Sequence, residues 1–219
     1  MLHLQLALFF EDIENRPDKF IPKITEISDN VFDQMPTILP IPLSAPPEIP
    51  VVILSSGDGK YTCNIAKSRI DFINTASSSS EGISSQLENF VNKIRPYVSV
   101  IYGYKKIVRF GLICQYLFKT EDPVKNIQSK YLKTNLGSLE ELTIRYNKKI
   151  EVSGLLINDI VEVGKGTIPQ DGSGETGVII LRDINNALNT SELPIEDLFL
   201  VIKSQLSNLG AKGIMEILR

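Results

Sequence analysis

The sequence predicts an α+β fold, built as two βαβββα repeats that form a curved antiparallel sheet with helices packed on one face. Three observations carry this expectation. Short runs with period-two alternation recur between turn residues, as half-buried strands require. Two long segments place apolar residues at helical spacing: Ile83, Leu87, Phe90, Ile94 and Val98, then Ile195, Leu198, Ile202, Leu206 and Leu209. Each long helix is preceded by a similar string, Arg69-Ile70-Asp71-Phe72-Ile73-Asn74 in one case and Arg182-Asp183-Ile184-Asn185 in the other, then a loop rich in Ser, Thr and Glu. An internal duplication accounts for that recurrence. It makes Arg69, Asp71 and Asn74 the counterparts of Arg182, Asp183 and Asn185.

The first half spans residues 1–103. Leu2, Leu4, Leu6 and Leu8 alternate with His3, Gln5 and Ala7, so residues 2–10 read as a strand. Phe20, Ile24, Ile27 and Val31 predict a helix within 18–31. Residues 35–50 hold six prolines, which lack a backbone donor and keep this connector out of a sheet interior. Val51–Ser55 and Tyr61–Ile65 read as strands joined at Gly57-Asp58-Gly59, a hairpin signal. A third strand opens at Ile70, and the serines at 77–80 form a loop before the long helix.

The second half spans residues 104–219. Residues 104–119 read as one long strand. Asp122-Pro123 starts a short helix, with Asp as N-cap and Pro at the first helical position. Strands follow at Leu142–Tyr146, 150–163 and 176–184, with Asn147-Lys148-Lys149 turning the first into the second. Gly164–Gly177 reads as a mobile loop. Residues 189–192 supply caps for the last long helix, and Gly210 stops or kinks it.

Composition bounds the function. The 219 residues carry a net charge of −3, which disfavours nucleic-acid binding by the molecule as a whole. The charge is uneven. Residues 1–58 hold nine acids against three bases, a balance of −6, and residues 104–149 hold ten bases against four acids, a balance of +6. The two segments either attract each other or one of them docks a charged partner. Cys63 and Cys114 lie in apolar, strand-like runs and read as free core thiols. No run is long enough for a membrane helix, the start is not that of a signal peptide, and the cytoplasm is the expected compartment. The Asn189-Thr190-Ser191 sequon then carries no glycan.

Catalytic and cofactor signals are weak. Gly172-Ser173-Gly174-Glu175-Thr176-Gly177 matches GxGxxG, but a strand follows it where a dinucleotide site needs a helix. His3 is the single histidine, which leaves no Ser-His-Asp or Cys-His set without it. Cys63, Cys114 and His3 have no metal-ligand spacing. Asp71 and Asp183 could form a two-carboxylate site, though an Arg and Asp at a strand end followed by Asn are more often turn and cap chemistry. No cofactor and no metal are expected.

In element order the chain resembles the saddle of the TATA-box-binding-protein fold, with one strand fewer per half. That resemblance does not bring DNA binding, because no pair of intercalating phenylalanines can be placed and the net charge is negative. The segment ILSSGDGKYTCNIAKSRIDFIN resembles a sporadically distributed, uncharacterised bacterial protein family, which implies no activity. The favoured reading is a non-enzymatic interaction module that binds a partner chain or itself through an open sheet face. A chaperone-like or inhibitory component of a bacterial or phage defence system would fit. The strand at 104–119 supplies the face: Val108, Phe110, Leu112, Cys114, Tyr116 and Phe118 lie on one side, and Ile107, Arg109, Gly111, Ile113, Gln115 and Leu117 on the other. The mixed second side makes Ile107, Arg109, Ile113, Gln115 and Leu117 the interface candidates. Tyr61, Tyr97, Tyr102, Tyr104, Tyr116 and Tyr146 are further residues of anchoring type. Two alternatives stand: a ligand-binding or hydrolytic pocket between sheet and helices, and nucleic-acid binding through 104–149. The Pro-rich connector could also cover the face within the monomer.

Overall fold

The structure, a computed structural model, describes residues 1–42, 44–75, 82–134, 136–168, 174–187 and 192–218. These form a mixed α+β protein with one open, antiparallel, nine-stranded sheet and five helices. The strands are β1 (His3–Phe10), β2 (Thr37–Ile38), β3 (Pro50–Ser55), β4 (Tyr61–Ala66), β5 (Arg69–Asn74), β6 (Ile107–Lys119), β7 (Ile144–Val152), β8 (Leu155–Ile168) and β9 (Glu175–Asn186). Their order is β2-β3-β4-β5-β1-β6-β9-β8-β7. The helices are α1 (Phe20–Thr25), α2 (Ile83–Tyr102), α3 (Pro123–Tyr131), α4 (Ile195–Leu209) and α5 (Ala211–Leu218).

Alternation decides which side of the sheet is sealed. Leu4, Leu6 and Leu8 of β1, Phe110, Leu112, Cys114 and Tyr116 of β6, and Ile180 and Ile184 of β9 are all buried beneath the helices. In α2, Leu87, Phe90, Ile94, Val98 and Ile101 face this core, and in α4 Leu198, Ile202 and Leu209 do the same. Both cysteines are buried and free, and burial raises the Cys63 thiol well above its ordinary value and Cys114 to about 12. Tyr97 and Tyr116 are core residues. The Tyr97 hydroxyl accepts from Val31 N at 2.7 Å, and Tyr116 donates to the Leu209 carbonyl at 2.6 Å.

Several expectations need correction. The helix within 18–31 lasts only from Phe20 to Thr25, and Asp29 stands at φ 57° beyond it. Asn147-Lys148-Lys149 is not a turn. β7 runs through it, because an exposed edge strand has no need of apolar residues there. The turn comes at Ser153-Gly154, where φ is 51° and 79°, the positive values that a tight hairpin requires. β8 therefore begins at Leu155 and reaches Ile168. Much of the Gly164–Gly177 loop is strand, with residues 169–173 outside the described residues. Its glycines serve close packing: a Cβ at Gly166 would collide with the Ile179 side chain, and one at Gly177 with the Phe118 carbonyl. The long strand of the second half starts at Ile107 and not at 104. The 77–80 serine loop, the caps at 189–191 and the sequon also lie outside the described residues.

The connector at 35–50 contributes β2, which pairs with β3 at the far edge from β6. Through β2 it extends the sheet at that edge. No helix among the described residues is long and apolar enough to cross a membrane.

Candidate interaction face

The side of the sheet away from the helices is made of the alternate residues. Antiparallel register sets them in rows across the strands. The central row reads Asn64, Asp71, Ala7, Gly111, Asn185, Asn158 and Lys149, from β4 to β7. The next reads Thr62, Ile73, Gln5, Ile113, Asp183, Ile160 and Asn147. Small residues at the middle of the first row leave a shallow floor between two polar groups. A Cβ at Gly111 would sit 3.8 Å from Asp183 Oδ1, so that carboxylate leans over the glycine.

On one flank, Gln5 Nε2 donates to Asp71 Oδ1 at 2.9 Å, and His3 Nε2 lies 3.1 Å from Gln5 Oε1. Arg69 Nε stands 2.9 Å from Asp71 Oδ2, an ion pair whose N–H is not aligned for a hydrogen bond. Asp71 is 2% exposed, and burial raises its pKa above the ordinary carboxylate value despite the neighbouring guanidinium. On the other flank the amides run in series. Asn147 Nδ2 donates to Asn158 Oδ1, Asn158 Nδ2 to Asn185 Oδ1, and Asn185 Nδ2 to Asp183 Oδ1, at 3.2, 3.0 and 3.0 Å. Each network ends on an aspartate. Below them, Phe9 is stacked by two guanidiniums, Arg69 at 5.6 Å and Arg109 at 5.2 Å from its ring centroid. Arg109 Nε is buried with no hydrogen-bond partner.

Four of the five interface candidates, Arg109, Ile113, Gln115 and Leu117, are half-buried on this side. Ile107 is not: it is fully buried in the core. The register shifts between Phe9 and Phe10, so that Phe9 opposes Arg109 and Phe10 opposes Ile107. That bulge at Val108 adds one residue and moves Ile107 to the core side. Asn186 supports it, accepting from Phe110 N at 2.8 Å and donating to the Val108 carbonyl at 3.0 Å.

The repeat-equivalent polar residues also divide. Arg69, Asp71, Asp183 and Asn185 lie on the side away from the helices. Asn74 and Arg182 point under the helices. Asn74 Nδ2 donates to the Lys60 carbonyl at 3.4 Å. Arg182 makes a bidentate pair with Asp159, both bonds 2.7 Å, and also donates to the Asn208 carbonyl. Arg69 and Arg182 are therefore not counterparts. Asp71 and Asp183 stand on β5 and β9 with β1 and β6 between them, three strand spacings or roughly 14 Å apart. That is too far for the two to act on one bond as acid and base. Gln5, Phe9, Asn64 and Asn158 join the face without having been singled out from sequence. The alternation in HLQLALFF places Gln5 and Phe9 there, but only the register brings Asn64 and Asn158 beside them.

The charged segments meet directly. Lys105 Nζ is 3.2 Å from Glu14, Lys106 Nζ is 3.3 Å from Glu11, and Lys23 lies over the Tyr104 ring at 3.4 Å. Further along, Lys119 pairs with Glu175, and Arg145 is 3.7 Å from Glu162. Four bases of the 104–149 segment thus face carboxylates.

On the helix side of the second half, a cavity of about 380 Å³ opens between α3, α5 and the sheet. Tyr131, Tyr146, Lys130, Lys148, Arg182 and Ile217 line it, together with the acids Asp159 and Glu216. Lys130 Nζ donates to the Glu216 carbonyl at 3.0 Å, and Tyr131 donates to the Ile217 carbonyl at 2.8 Å. Among the described residues, no group of three His, Cys, Asp or Glu side chains is placed to hold a metal ion. No protein-family model matches this sequence, and no curated protein does.

Proposed function

We propose that this protein is a non-enzymatic interaction module whose contact surface is the uncovered side of the sheet, centred on β1, β6 and β9. The observation that carries the reading is the mixture at that centre. Phe9, Ile113, Leu117 and Leu181 are half-buried beside Arg109, Gln115 and Asp183, and the Arg109 Nε donor has no partner within the chain. Water-facing strands are ordinarily polar on that side, whereas contact surfaces combine apolar groups with arginine and polar residues. A buried donor left unpaired costs about 1–3 kcal/mol, which a partner's carbonyl or carboxylate would recover.

The test is a double variant, Ile113→Asp with Leu117→Asp. It should keep the circular dichroism of the parent while losing the species that co-purifies from the native host, or dropping to a smaller assembly on size exclusion. A variant that unfolds places those residues in the core. An unchanged assembly places the interface elsewhere.

For the architecture we propose a duplicated βαβββα unit, β1-α1-β3-β4-β5-α2 and β6-α3-β7-β8-β9-α4, with β2 and α5 as additions. The strand order supports it: outward from the centre it runs β1-β5-β4-β3 on one side and β6-β9-β8-β7 on the other. So does the register. Leu6 opposes Leu112, and the residue after each, Ala7 and Ile113, opposes Asp71 and Asp183 respectively. In crystals of the protein, superposing residues 2–101 on 104–209 should bring Asp71 onto Asp183. A best fit that lays β5 on any strand other than β9 would sink the duplication.

A further inference from the structure

The two edges of the sheet differ. β2 is two residues long, with Pro36 and Pro40 close on either side, which blunts it against pairing. β7 is nine residues long, contains no proline and, among the described residues, has β8 as its single strand neighbour, so its outward edge presents amides and carbonyls to a further strand. Ile144, Tyr146, Ile150 and Val152 are half-buried on its helix side, apolar surface that an added strand would cover. Arg145, Lys148 and Lys149 are exposed along it against one acid, Glu151. The 380 Å³ cavity opens beside the same strand, with Lys130, Lys148 and Arg182 in its lining against Asp159 and Glu216, and Asp159 is already paired with Arg182.

We propose that β7 is a docking edge for an extended acidic segment of a partner protein, which adds as a tenth strand and places a carboxylate side chain in the cavity beneath α3 and α5. Main-chain hydrogen bonds supply the general attraction, and the cavity reads alternate side chains. A second copy of the chain fits less well, although the register centred on Lys148 also sets Arg145 against Glu151. In the antiparallel registers that use most of β7, centred on Asn147, Lys148 or Lys149, basic residues oppose one another: Arg145 faces Lys149, Lys148 faces Lys148, or Lys149 faces Lys149. Like charges directly opposite are destabilising. The same basic residues attract a strand that carries glutamate or aspartate. Lys148 points to the helix side with Tyr146 and Ile150, whereas Lys149 lies in the row of Asn158 and Asn185 on the other side. A carboxylate seated in the cavity therefore meets Lys148, and Lys149 attracts the strand only from outside.

This site is separate from the uncovered face, and one experiment distinguishes them. The probe is a fluorescent, end-capped peptide of alternating glutamate and valine, followed by anisotropy. It should bind the full chain and slow hydrogen exchange at β7 amides. Lys148→Ala should weaken binding by about tenfold and Lys149→Ala by less, while Ile113→Asp with Leu117→Asp leaves it unchanged. The same peptide N-methylated on alternate amides, or carrying lysine for glutamate, should not bind. Binding of the N-methylated peptide at full strength reduces the effect to bulk charge and overturns the strand reading. Equal losses at Lys148 and Lys149 remove the cavity from it. Competition by a single-stranded RNA of higher affinity, lost with Lys148→Ala, replaces the proposal with a nucleic-acid surface. Both lysines are exposed, so the variants keep the fold.

Discussion

The halves on either side of the β1–β6 seam solve the packing problem differently. Beneath α2 the first half is aromatic: Phe32, Phe72 and Tyr97 contact one another with ring centroids 5.0–6.4 Å apart. Its β3, β4 and β5 are six residues each, and its edge closes among prolines. The second half has strands of up to fourteen residues, an open edge and a cavity. Its interior holds Arg182 and Asp159, both under a tenth exposed, with Asn186 and Gln205 buried as well. An ion pair in such a place is seldom worth more to stability than well-packed apolar groups of the same volume. The first half is arranged as a stable base. The second half keeps a charged pair under its helices and an unblunted strand at its outer edge, features that suit contact with something else.

The largest expected effect breaks the aromatic half. Phe72→Ala empties the centre of the aromatic cluster, and it should cost about 3–5 kcal/mol in urea unfolding. A loss below about 1 kcal/mol would mean that the cluster collapses around the gap.

Arg182→Ala should match it in the other half, at roughly 3–5 kcal/mol, because Asp159 is left charged and unpaired. The sharper experiment is the double variant Arg182→Met with Asp159→Leu. It should recover most of that loss, or exceed the parent. A double variant as unstable as the single one would show that the pair stabilises this half, and the contrast between halves would fail.

The smallest effect is a pH slope on the uncovered side. Burial raises the folded-state pKa of Asp71 above its ordinary 3.8. Between these two values the folded state binds more protons than the unfolded chain. This group therefore makes stability fall as pH rises from 3.8 through the raised pKa, and above it the penalty is complete. Asp71→Asn should flatten that part of the profile. Asp183→Asn, on the opposite flank, serves as the control, and an identical change for both would show that burial of Asp71 is not the cause.

Much of the fold was legible because burial on one side imposes a period. HLQLALFF and IVRFGLICQYLFK alternate, the α2 and α4 segments repeat at helical spacing, and Asp122-Pro123 opens α3 with the Asp122 side chain accepting from Lys125 N at 3.1 Å. The misreadings share a physical origin. Asn147-Lys148-Lys149 has turn-like composition, yet an edge strand exposed to water tolerates it. Ile107 was assigned by parity, and a single bulge reverses parity. The two arginines matched as letters in a string, but Arg182 is one residue, and hence one face, away from the position of Arg69 relative to the following aspartate. The amide series from Asn147 to Asp183 joins residues on β7, β8 and β9, and no local pattern reports such a register.

The seam itself has a consequence for biogenesis. β1 is bonded on one side by β5 and on the other by β6. During synthesis its apolar residues leave the ribosome before those of β6, and the strand that completes its environment follows roughly a hundred residues later, on the order of ten seconds at typical translation rates. Throughout that interval Leu4, Leu6 and Leu8 lie on a nascent strand with an unfilled flank. The pairing that finally fills it is distant in sequence, which is the slow kind to form. A ribosome-associated holdase, or swift folding of the first half around β5, would guard the strand until β6 emerges.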